Sequence, residues 1–116
     1  MKTSELTDKA LDWAVAKCEG VGLGPRGSVV YYHEGEPAMW QPSTDWAQGG
    51  PIIEREGIEL RYWGLHSVPW KASIDGDTDA GVVLYEEHGT TPLIAAMRCY
   101  VTSKMGDEVE VPEELF

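Results

Sequence analysis

The chain is poor in basic residues. Its 116 residues include 9 Lys and Arg against 20 Asp and Glu, which gives a net charge of −11. A chain this acidic argues against a protein that holds nucleic acid on a basic face, because the phosphate backbone attracts cations. It argues in the same way against attachment to anionic lipid by charge. We therefore expect no direct contact with nucleic acid or with a membrane.

Long apolar runs and cysteines are also scarce. No stretch approaches the roughly 18 apolar residues of a membrane-spanning helix, and the polar segment Met1–Lys9 lacks the apolar core of a secretory signal. The two cysteines, Cys18 and Cys99, are expected to be free thiols, since a disulfide needs an oxidising compartment. Together these absences predict a cytoplasmic protein, and the length predicts a single domain over 1–116.

Two helices are the clearest elements of the sequence. Thr7 is a suitable N-cap for a helix over Asp8–Glu19, in which apolar residues recur every three or four positions. Thr91 is a suitable N-cap for a second helix over Pro92–Met105, which has proline at its first position and a continuous apolar stripe. A glycine follows each helix, as is common at helix ends.

Between these helices, β-prone segments predict an antiparallel sheet. Residues 28–33 are rich in Val and Tyr, and over 58–63 every second residue is an apolar one that suits a half-buried strand. Weaker strands are predicted over 70–74 and 81–86, and an acidic turn over Asp75–Ala80 joins them.

The remaining segments have less regular patterns. The stretch from Trp40 to Gly57 is predicted to be irregular, with only a short helix over Ile52–Glu56. Val109 and Val111 alternate with glutamates and predict a short edge strand. The order of elements favours an α+β fold, in which two main helices pack on one face of a small antiparallel sheet.

Two motif-like patterns are matched incompletely. Residues 22–27 match G-x-G-x-x-G, but the pattern follows a predicted helix and precedes a strand, the reverse of a dinucleotide-binding turn. Residues 75–86 place acids at positions 1, 3, 5 and 12 of an EF-hand-like loop. Ala80 stands where that loop needs glycine, and strands rather than helices flank it. We therefore expect a loop and a solvated hairpin turn instead of a dinucleotide or calcium site.

Catalytic and metal-binding signatures are missing from the sequence. His33, His66 and His88 are not at the spacing of ligands on one helix. No nucleophile elbow, Cys–His pair or pair of carboxylates stands out. We therefore expect a protein that is not an enzyme and that holds neither a metal nor a cofactor.

The five tryptophans indicate where a small molecule would bind. Trp40 and Trp46 bracket a polar, proline-containing segment, and Trp63 falls on the outward side of its strand. Aromatic rings beside Ser, Thr, Gln and glycine N–H groups suit a planar, polar ligand, although plain packing in the core is the alternative. The residues that would form the ligand pocket are Trp40, Ser43, Thr44, Asp45, Trp46, Gln48, Gly49, Gly50, Arg55, Trp63 and Arg98.

Long stretches of the sequence resemble a known family. They are Leu6–Ala16 (LTDKALDWAVA), Pro42–Glu56 (PSTDWAQGGPIIERE) and Thr91–Val101 (TPLIAAMRCYV), the last followed by SKMGDEVEVP. These stretches are similar to the NinX-like family of small proteins of tailed phages and prophages. The resemblance covers most of the chain, and residues 64–90 are its least characteristic part. It implies a phage accessory protein in the cytoplasm of the bacterial host, and it brings no established activity or catalytic residues.

The first functional hypothesis is sequestration of a nucleotide-like ligand. By analogy with other small phage proteins, the chain would bind a nucleotide-derived immune signal of the host and so act against host defence. The tryptophans would stack on a base, and the polar side chains of 43–48 would bond its edges or a ribose. Gly49 and Gly50 would offer backbone N–H groups, and Arg55 or Arg98 would meet phosphate.

The alternative is an acidic protein–protein interaction module. The last ten residues contain five acids and no base, a composition that suits either a solvated tail or a surface that imitates DNA. Such a surface would occupy a host nuclease or transcription factor, so the partner would be a host protein. The sequence also leaves a homo-oligomer open.

Overall fold

The computed structural model describes residues 1–24, 30–64 and 67–115. Short 3-10 turns, Thr3–Glu5 and Glu113–Leu115, lie near the two ends of this part of the chain. Within the described ranges there are three α-helices and five strands, in the order α1 (Asp8–Glu19), β1 (Val30–His33), β2 (Glu36–Met39), α2 (Trp46–Glu56), β3 (Glu59–Tyr62), β4 (Trp70–Thr78), β5 (Gly81–Gly89) and α3 (Pro92–Met105).

Helices α1 and α3 have the predicted bounds. The side-chain oxygen of Thr91 caps α3 by accepting a hydrogen bond from the N–H of Ile94 at 3.1 Å. Every residue from Ala95 to Thr102 is buried, so α3 is covered on all sides rather than along one stripe. It packs against β4, β5, α1 and α2 and forms the centre of the core. Neither α3 nor any other described helix is long and apolar enough to cross a membrane.

Helix α2 differs from the prediction. It covers Trp46–Glu56, whereas an irregular segment with a helix over Ile52–Glu56 alone was expected. Asp45 is the N-cap, and its carboxylate accepts a hydrogen bond from the N–H of Ala47 at 2.9 Å. Gly57 ends the helix in the left-handed conformation, with φ +65°.

Close packing explains why α2 forms despite two glycines and a proline. A β-carbon at Gly49 would lie 2.4 Å from the carbonyl oxygen of Pro42 and 2.6 Å from Cδ2 of Leu93. Glycine therefore lets α2 approach both α3 and the preceding loop. Ile52, on the next turn, is 2% exposed. Burial of this kind stabilises the helix by more than the low helix propensity of these residues destabilises it.

The strands form two antiparallel sheets. Strands β1 and β2 make a hairpin in which Tyr31 is opposite Ala38. Strands β3, β4 and β5 make a three-stranded sheet in that order, and α3 packs on it. Strand β4 runs to Thr78, which is opposite Gly81 of β5. The turn predicted over 75–80 is therefore shorter, and most of its acids lie in a strand.

The α+β class is confirmed, but the arrangement differs in detail. Among the described residues there are three helices rather than two main ones, and two sheets rather than one. The edge strand predicted at Val109 and Val111 is reduced to one bridge, between Lys2 and Glu108. The N–H of Val109 donates to the carbonyl of Met1 at 2.9 Å. These contacts join the first and last parts of the described chain.

Candidate functional site

The residues of the predicted pocket lie at several places rather than in one pocket, and Trp40 lies in the core. Trp40 is 7% exposed, and its indole N–H donates to the backbone carbonyl of Asp12 at 2.9 Å. Its ring meets Tyr31 edge-on, with ring centroids 5.3 Å apart. Trp40 therefore packs the segment before α2 against α1 rather than lining a surface pocket.

Asp12, which the sequence reasoning did not single out, anchors the same segment. The backbone N–H of Ser43 donates to Asp12 Oδ1 at 2.9 Å, and both residues are at most 5% exposed. Burial raises the pKa of Asp12 to about 6, and hydrogen bonds from Ser43 oppose this effect. The sequence contains a signal for the burial of Asp12. Ala16, one turn later on α1, is apolar and extends the apolar face of the helix to the position of Asp12.

Other polar groups of the predicted pocket hold their own backbone together. Gln48 donates through Nε2 to the carbonyl of Met39 at 2.7 Å and accepts from the N–H of Gln41 at 2.6 Å. The exposed Thr44 donates to the carbonyl of Gln41 at 3.4 Å. Unlike Gly49, Gly50 has open space beside it, because a β-carbon added at Gly50 would have no atom within 4 Å. The segment is thus fastened to β2 and α2 mainly by groups that were expected to contact a ligand.

Arg55 belongs to an ion-pair network that joins the C-terminal parts of the three helices. Its guanidinium donates to both carboxylate oxygens of Glu19, at 3.0 and 2.6 Å, and to Glu56 at 2.9 Å. Tyr100 donates its hydroxyl proton to Glu19 as well, and Lys104 pairs with Glu56 at 3.3 Å. Hydrogen bonds from Arg55 are the main reason that the pKa values of Glu19 and Glu56 are lowered. Although the side chain is 50% exposed, its donors are engaged within the fold.

Arg98 is buried between the N-terminal turn and the sheet. The residue is 7% exposed. It donates through Nε to the carbonyl of Leu6 and through Nη1 to the carbonyl of His88, both at 2.8 Å. Burial lowers the pKa of Arg98, and the nearby carboxylate of Glu87 opposes that effect. Arg98 therefore fastens two segments to α3 instead of meeting a phosphate at the surface.

Trp46 and Trp63 are the predicted aromatic residues that stay at the surface, with 53% and 42% of their areas exposed. Trp46 is the first residue of α2. Trp63 directly follows β3, and Lys71 Nζ lies 5.2 Å from the centroid of its ring, which is a cation–π contact. These rings belong to different parts of the fold, α2 and the three-stranded sheet.

One surface that the sequence reasoning did not identify is on the three-stranded sheet. Its strand register places one set of side chains on the side opposite to Ala72 and Ile74, which are buried. Period-two alternation predicts the outward residues within β3, but the residues beside them depend on the register between strands. The outer sheet face, as we call it, carries Glu59, Arg61, Lys71, Ser73, Leu84 and Glu86, and these residues with Leu60 line a concavity of about 540 Å³.

A second exposed surface is on the β1–β2 hairpin. Tyr31 packs against the core, and the residues on the other side of the hairpin are apolar. We call that side the apolar hairpin face, and it consists of Val30, Tyr32, Pro37 and Met39. The sequence predicted a strand over 28–33 but not its partner strand, so this pairing was not anticipated.

The two motif-like patterns differ in how much of each the structure describes. Residues 25–27 of the glycine-rich pattern lie outside the described residues, as does His66. The EF-hand-like pattern runs along the β4–β5 hairpin, where Asp75 is opposite Leu84, rather than between two helices. Within the described ranges, no group of three or more His, Cys, Asp or Glu is placed to hold a metal ion.

Both cysteines are free, as predicted. Burial raises the pKa of Cys18 to about 11 and that of Cys99 to about 12. The Cys99 thiol also donates to the carbonyl of Tyr85 at 3.3 Å. Because the thiolate is the reactive form, both side chains are poor nucleophiles near neutral pH.

Comparison with known proteins identifies a family and shows similarity to a solved structure. Residues 2–104 match the family described as Bacteriophage P22, NinX. The fold is similar to that of a phage protein from Bacillus cereus, whose crystal structure was determined at 2.0 Å; the TM-score is 0.60 at 11% sequence identity, over 95% of this chain and 93% of that chain. At that identity the likeness shows the fold alone. No curated protein matches the sequence.

Proposed function

Because this chain belongs to the NinX family of bacteriophage P22, we propose that it is a phage accessory protein that binds a protein of the bacterial host in the cytoplasm, without catalysis. The observation that carries this proposal is the apolar hairpin face, which contains no charged side chain and of which Tyr32, Pro37 and Met39 are exposed. Exposed apolar patches, and aromatic and methionine side chains in particular, are typical of protein–protein interfaces.

The register of the hairpin places the four side chains together. Val30 is opposite Met39, and Tyr32 is opposite Pro37. Directly opposed residues of an antiparallel pair point to the same side of the sheet. Tyr31, which alternates with them, packs against the core. Tyr32 is 74% exposed and Met39 is 49% exposed, so a partner would remove a large apolar area from water.

The charge around this face favours a basic partner. Within the hairpin, over 30–39, the sequence has Glu34 and Glu36 but no Lys or Arg. Glu34 and Glu36 are exposed at the turn of the hairpin. Lys and Arg around an apolar centre of the partner would complement these acids and speed the encounter. A second copy of this chain would bring like charges together, so we favour a complex with a different protein.

The proposal is tested by capture from host lysate on the immobilised protein. The double variant Tyr32→Ser/Met39→Ser removes two large apolar groups, and Val82→Ser, at a residue on β5 that is 73% exposed, is the matched control. We expect wild type and the control to retain the same basic protein, which high salt releases, and the double variant to lose it. Retention by the double variant, or capture of the chain by itself alone, would contradict the proposal.

Sequestration of a nucleotide-derived host signal at the start of α2 is the second candidate function. It is supported by Trp46, the first residue of α2, which is 53% exposed and so accessible for stacking on a base. The carboxylate of Asp45 opposes an anion there, and Arg55 is engaged by Glu19. The base rather than the phosphate would therefore supply most of the affinity.

This second candidate has its own test. Calorimetry with cyclic di- and trinucleotides and with ADP-ribose measures binding to wild type and to Trp46→Ala. Heat that is present for wild type and absent for Trp46→Ala would support sequestration at α2. If none of these compounds gives heat with the wild-type protein, sequestration of this class of signal is excluded.

A further inference from the structure

We propose that the outer sheet face binds a nucleotide-like anion, an organic phosphate that carries an aromatic base, with Arg61 and Lys71 on the phosphate and Trp63 on the base. This site is distinct from the apolar hairpin face and from the start of α2. Its occupation does not depend on a host protein. The starting observation is the pairing of basic side chains across the three strands.

Three basic side chains form a row across the sheet. Arg61 on β3 is directly opposite Lys71 on β4, and Lys71 is directly opposite His88 on β5. Opposed β-carbons in an antiparallel pair are about 4.5–5.5 Å apart, and like charges at that spacing are destabilising. The chain contains 20 acidic residues and only 9 Lys and Arg. Its composition would therefore favour an acid, rather than a second basic residue, opposite Arg61 or Lys71. Glu86 already pairs with Lys71 at 3.2 Å, so an anion held between Arg61 and Lys71 would offset the part of their repulsion that remains.

The two cations differ in their existing contacts. Lys71 Nζ pairs with Glu86 at 3.2 Å and lies 5.2 Å from the ring centroid of Trp63. The exposed Arg61 makes no ion pair or hydrogen bond through its guanidinium to the part of the chain that the structure describes. The other arginines in that part both donate to carboxylate or carbonyl oxygens. Arg61 is therefore available for an incoming anion, and the planar guanidinium suits bidentate contact with phosphate.

The space in front of these residues has the dimensions of a ligand site. The concavity of about 540 Å³ falls within the range of roughly 300–1,000 Å³ for small-molecule pockets. Leu84, which is 53% exposed, gives it an apolar surface, and Ser73 adds a hydroxyl group. Trp63 is placed next to it by its contact with Lys71. A base and a phosphate can thus be met by neighbouring side chains.

The two carboxylates that line the concavity, Glu59 and Glu86, affect which class of anion it favours. Glu86 is paired with Lys71, but Glu59 has no neutralising partner within the described ranges. A bare phosphate ion would meet this carboxylate as well as the two cations and is expected to bind weakly. A nucleotide adds ribose hydroxyls, which donate to carboxylates, and a base that stacks on Trp63. Glu59 would therefore favour a nucleotide over inorganic phosphate.

The ligand class is tested by calorimetry with three probes: AMP, inorganic phosphate and adenosine. AMP contains both parts of the proposed ligand, and each of the other probes contains one. We expect AMP to bind at least about tenfold more tightly than either partial probe. No detectable AMP binding, or AMP affinity equal to that of phosphate, would overturn the proposal.

The site is tested with matched variants. Arg61→Gln removes the available guanidinium, and Lys9→Gln removes one charge from an exposed position on α1. We expect AMP affinity to fall about tenfold or more in Arg61→Gln, as for a lost charge-assisted hydrogen bond, and to stay unchanged in Lys9→Gln. Equal losses in the two variants would show a non-specific charge effect and overturn the proposal.

The base contact is tested by comparing Trp63→Leu with Trp46→Leu. We expect AMP affinity to fall in the first and not in the second. The reverse result would place the ligand at the start of α2 and overturn the outer-face site without excluding nucleotide binding. If a variant fails to fold, the changes in amide NMR chemical shifts of the wild-type protein on addition of AMP locate the binding site instead. Shifts confined to β3, β4 and β5 support the site, and shifts confined to α2 contradict it.

Discussion

Replacing Asp12 with asparagine is predicted to remove a pH dependence of the stability of this protein. Asp12 is 5% exposed and lies on α1, where it accepts a hydrogen bond from the N–H of Ser43 at 2.9 Å. Asparagine has the same shape and keeps an oxygen acceptor for that N–H. It carries no charge, so it avoids the desolvation that disfavours a buried carboxylate.

The size of the effect follows from the pKa of Asp12. Burial raises this pKa from 3.8 to about 6, and each pKa unit corresponds to about 1.4 kcal/mol. Between those two pH values the folded protein binds more protons at Asp12 than the unfolded chain does. The contribution of Asp12 to the free energy of unfolding therefore falls as pH rises from about 4 to about 6, by up to about 3 kcal/mol.

Urea unfolding followed by tryptophan fluorescence measures the effect in wild type and in Asp12→Asn at about pH 4 and about pH 7.5. The difference between the two proteins cancels the titration of other acids, such as Glu19 and Glu87. We expect the free energy of unfolding of the variant, relative to wild type, to rise by about 2–3 kcal/mol between the lower and the higher pH. An unchanged difference, or one that moves the other way, would refute the desolvation of Asp12.

Three further substitutions test the packing and ionic contacts of the fold. Gly49→Ala should lower the free energy of unfolding by about 1–3 kcal/mol, because its β-carbon meets Pro42 and Leu93; in the same urea experiment Gly50→Ala, with open space at its β-carbon, should not. Arg98→Met should cost about 2–4 kcal/mol in thermal unfolding, because two carbonyls lose a charged donor; a smaller loss than for Arg61→Met at the surface would contradict this. Arg55→Gln should cost only about 1 kcal/mol, because the side chain is half exposed, and the loss should shrink in high salt; a salt-independent loss would argue against an ionic origin.

The helices α1 and α3 could be predicted because their determinants are local. Regular apolar spacing and a terminal glycine lie within or beside each helix. Thr91 also caps α3 through its side chain, whereas Thr7, the predicted N-cap of α1, makes no side-chain capping hydrogen bond. Helix α2 could not be predicted in the same way, because Gly49, Gly50 and Pro51 disfavour a helix locally. What stabilises it is contact with Pro42 and Leu93, and no pattern within the segment reveals those contacts.

The ligand pocket was predicted from residue types. A residue type indicates that a side chain can form hydrogen bonds to a ligand, but not whether it already forms them to other residues of the protein. Trp40 and Ser43 are drawn inward by Asp12, which lies about thirty residues earlier on α1. Arg55 and Arg98 donate to partners on other elements. Such long-range partners decide which polar groups remain free, and they depend on the packing of α1 and α3 rather than on local sequence.

The outer sheet face was predictable in part. Alternation along β3 places Glu59, Arg61 and Trp63 on the outward side of one strand. That Lys71 is opposite Arg61 depends on the register between β3 and β4, which the pattern of a single strand does not specify. The apolar hairpin face could not be predicted either, because it depends on the pairing of β1 with β2. Strand β2 contains Pro37, and proline ordinarily argues against a strand.

The most direct test of host-protein binding is the affinity of the captured protein for wild type, Tyr32→Ser and Val82→Ser. Truncation of a buried aromatic side chain at the centre of an interface costs about 2 kcal/mol or more, which is a rise in Kd of roughly 30-fold. We predict a rise of that size for Tyr32→Ser and none for Val82→Ser. An unchanged Kd for Tyr32→Ser would contradict binding through the apolar hairpin face.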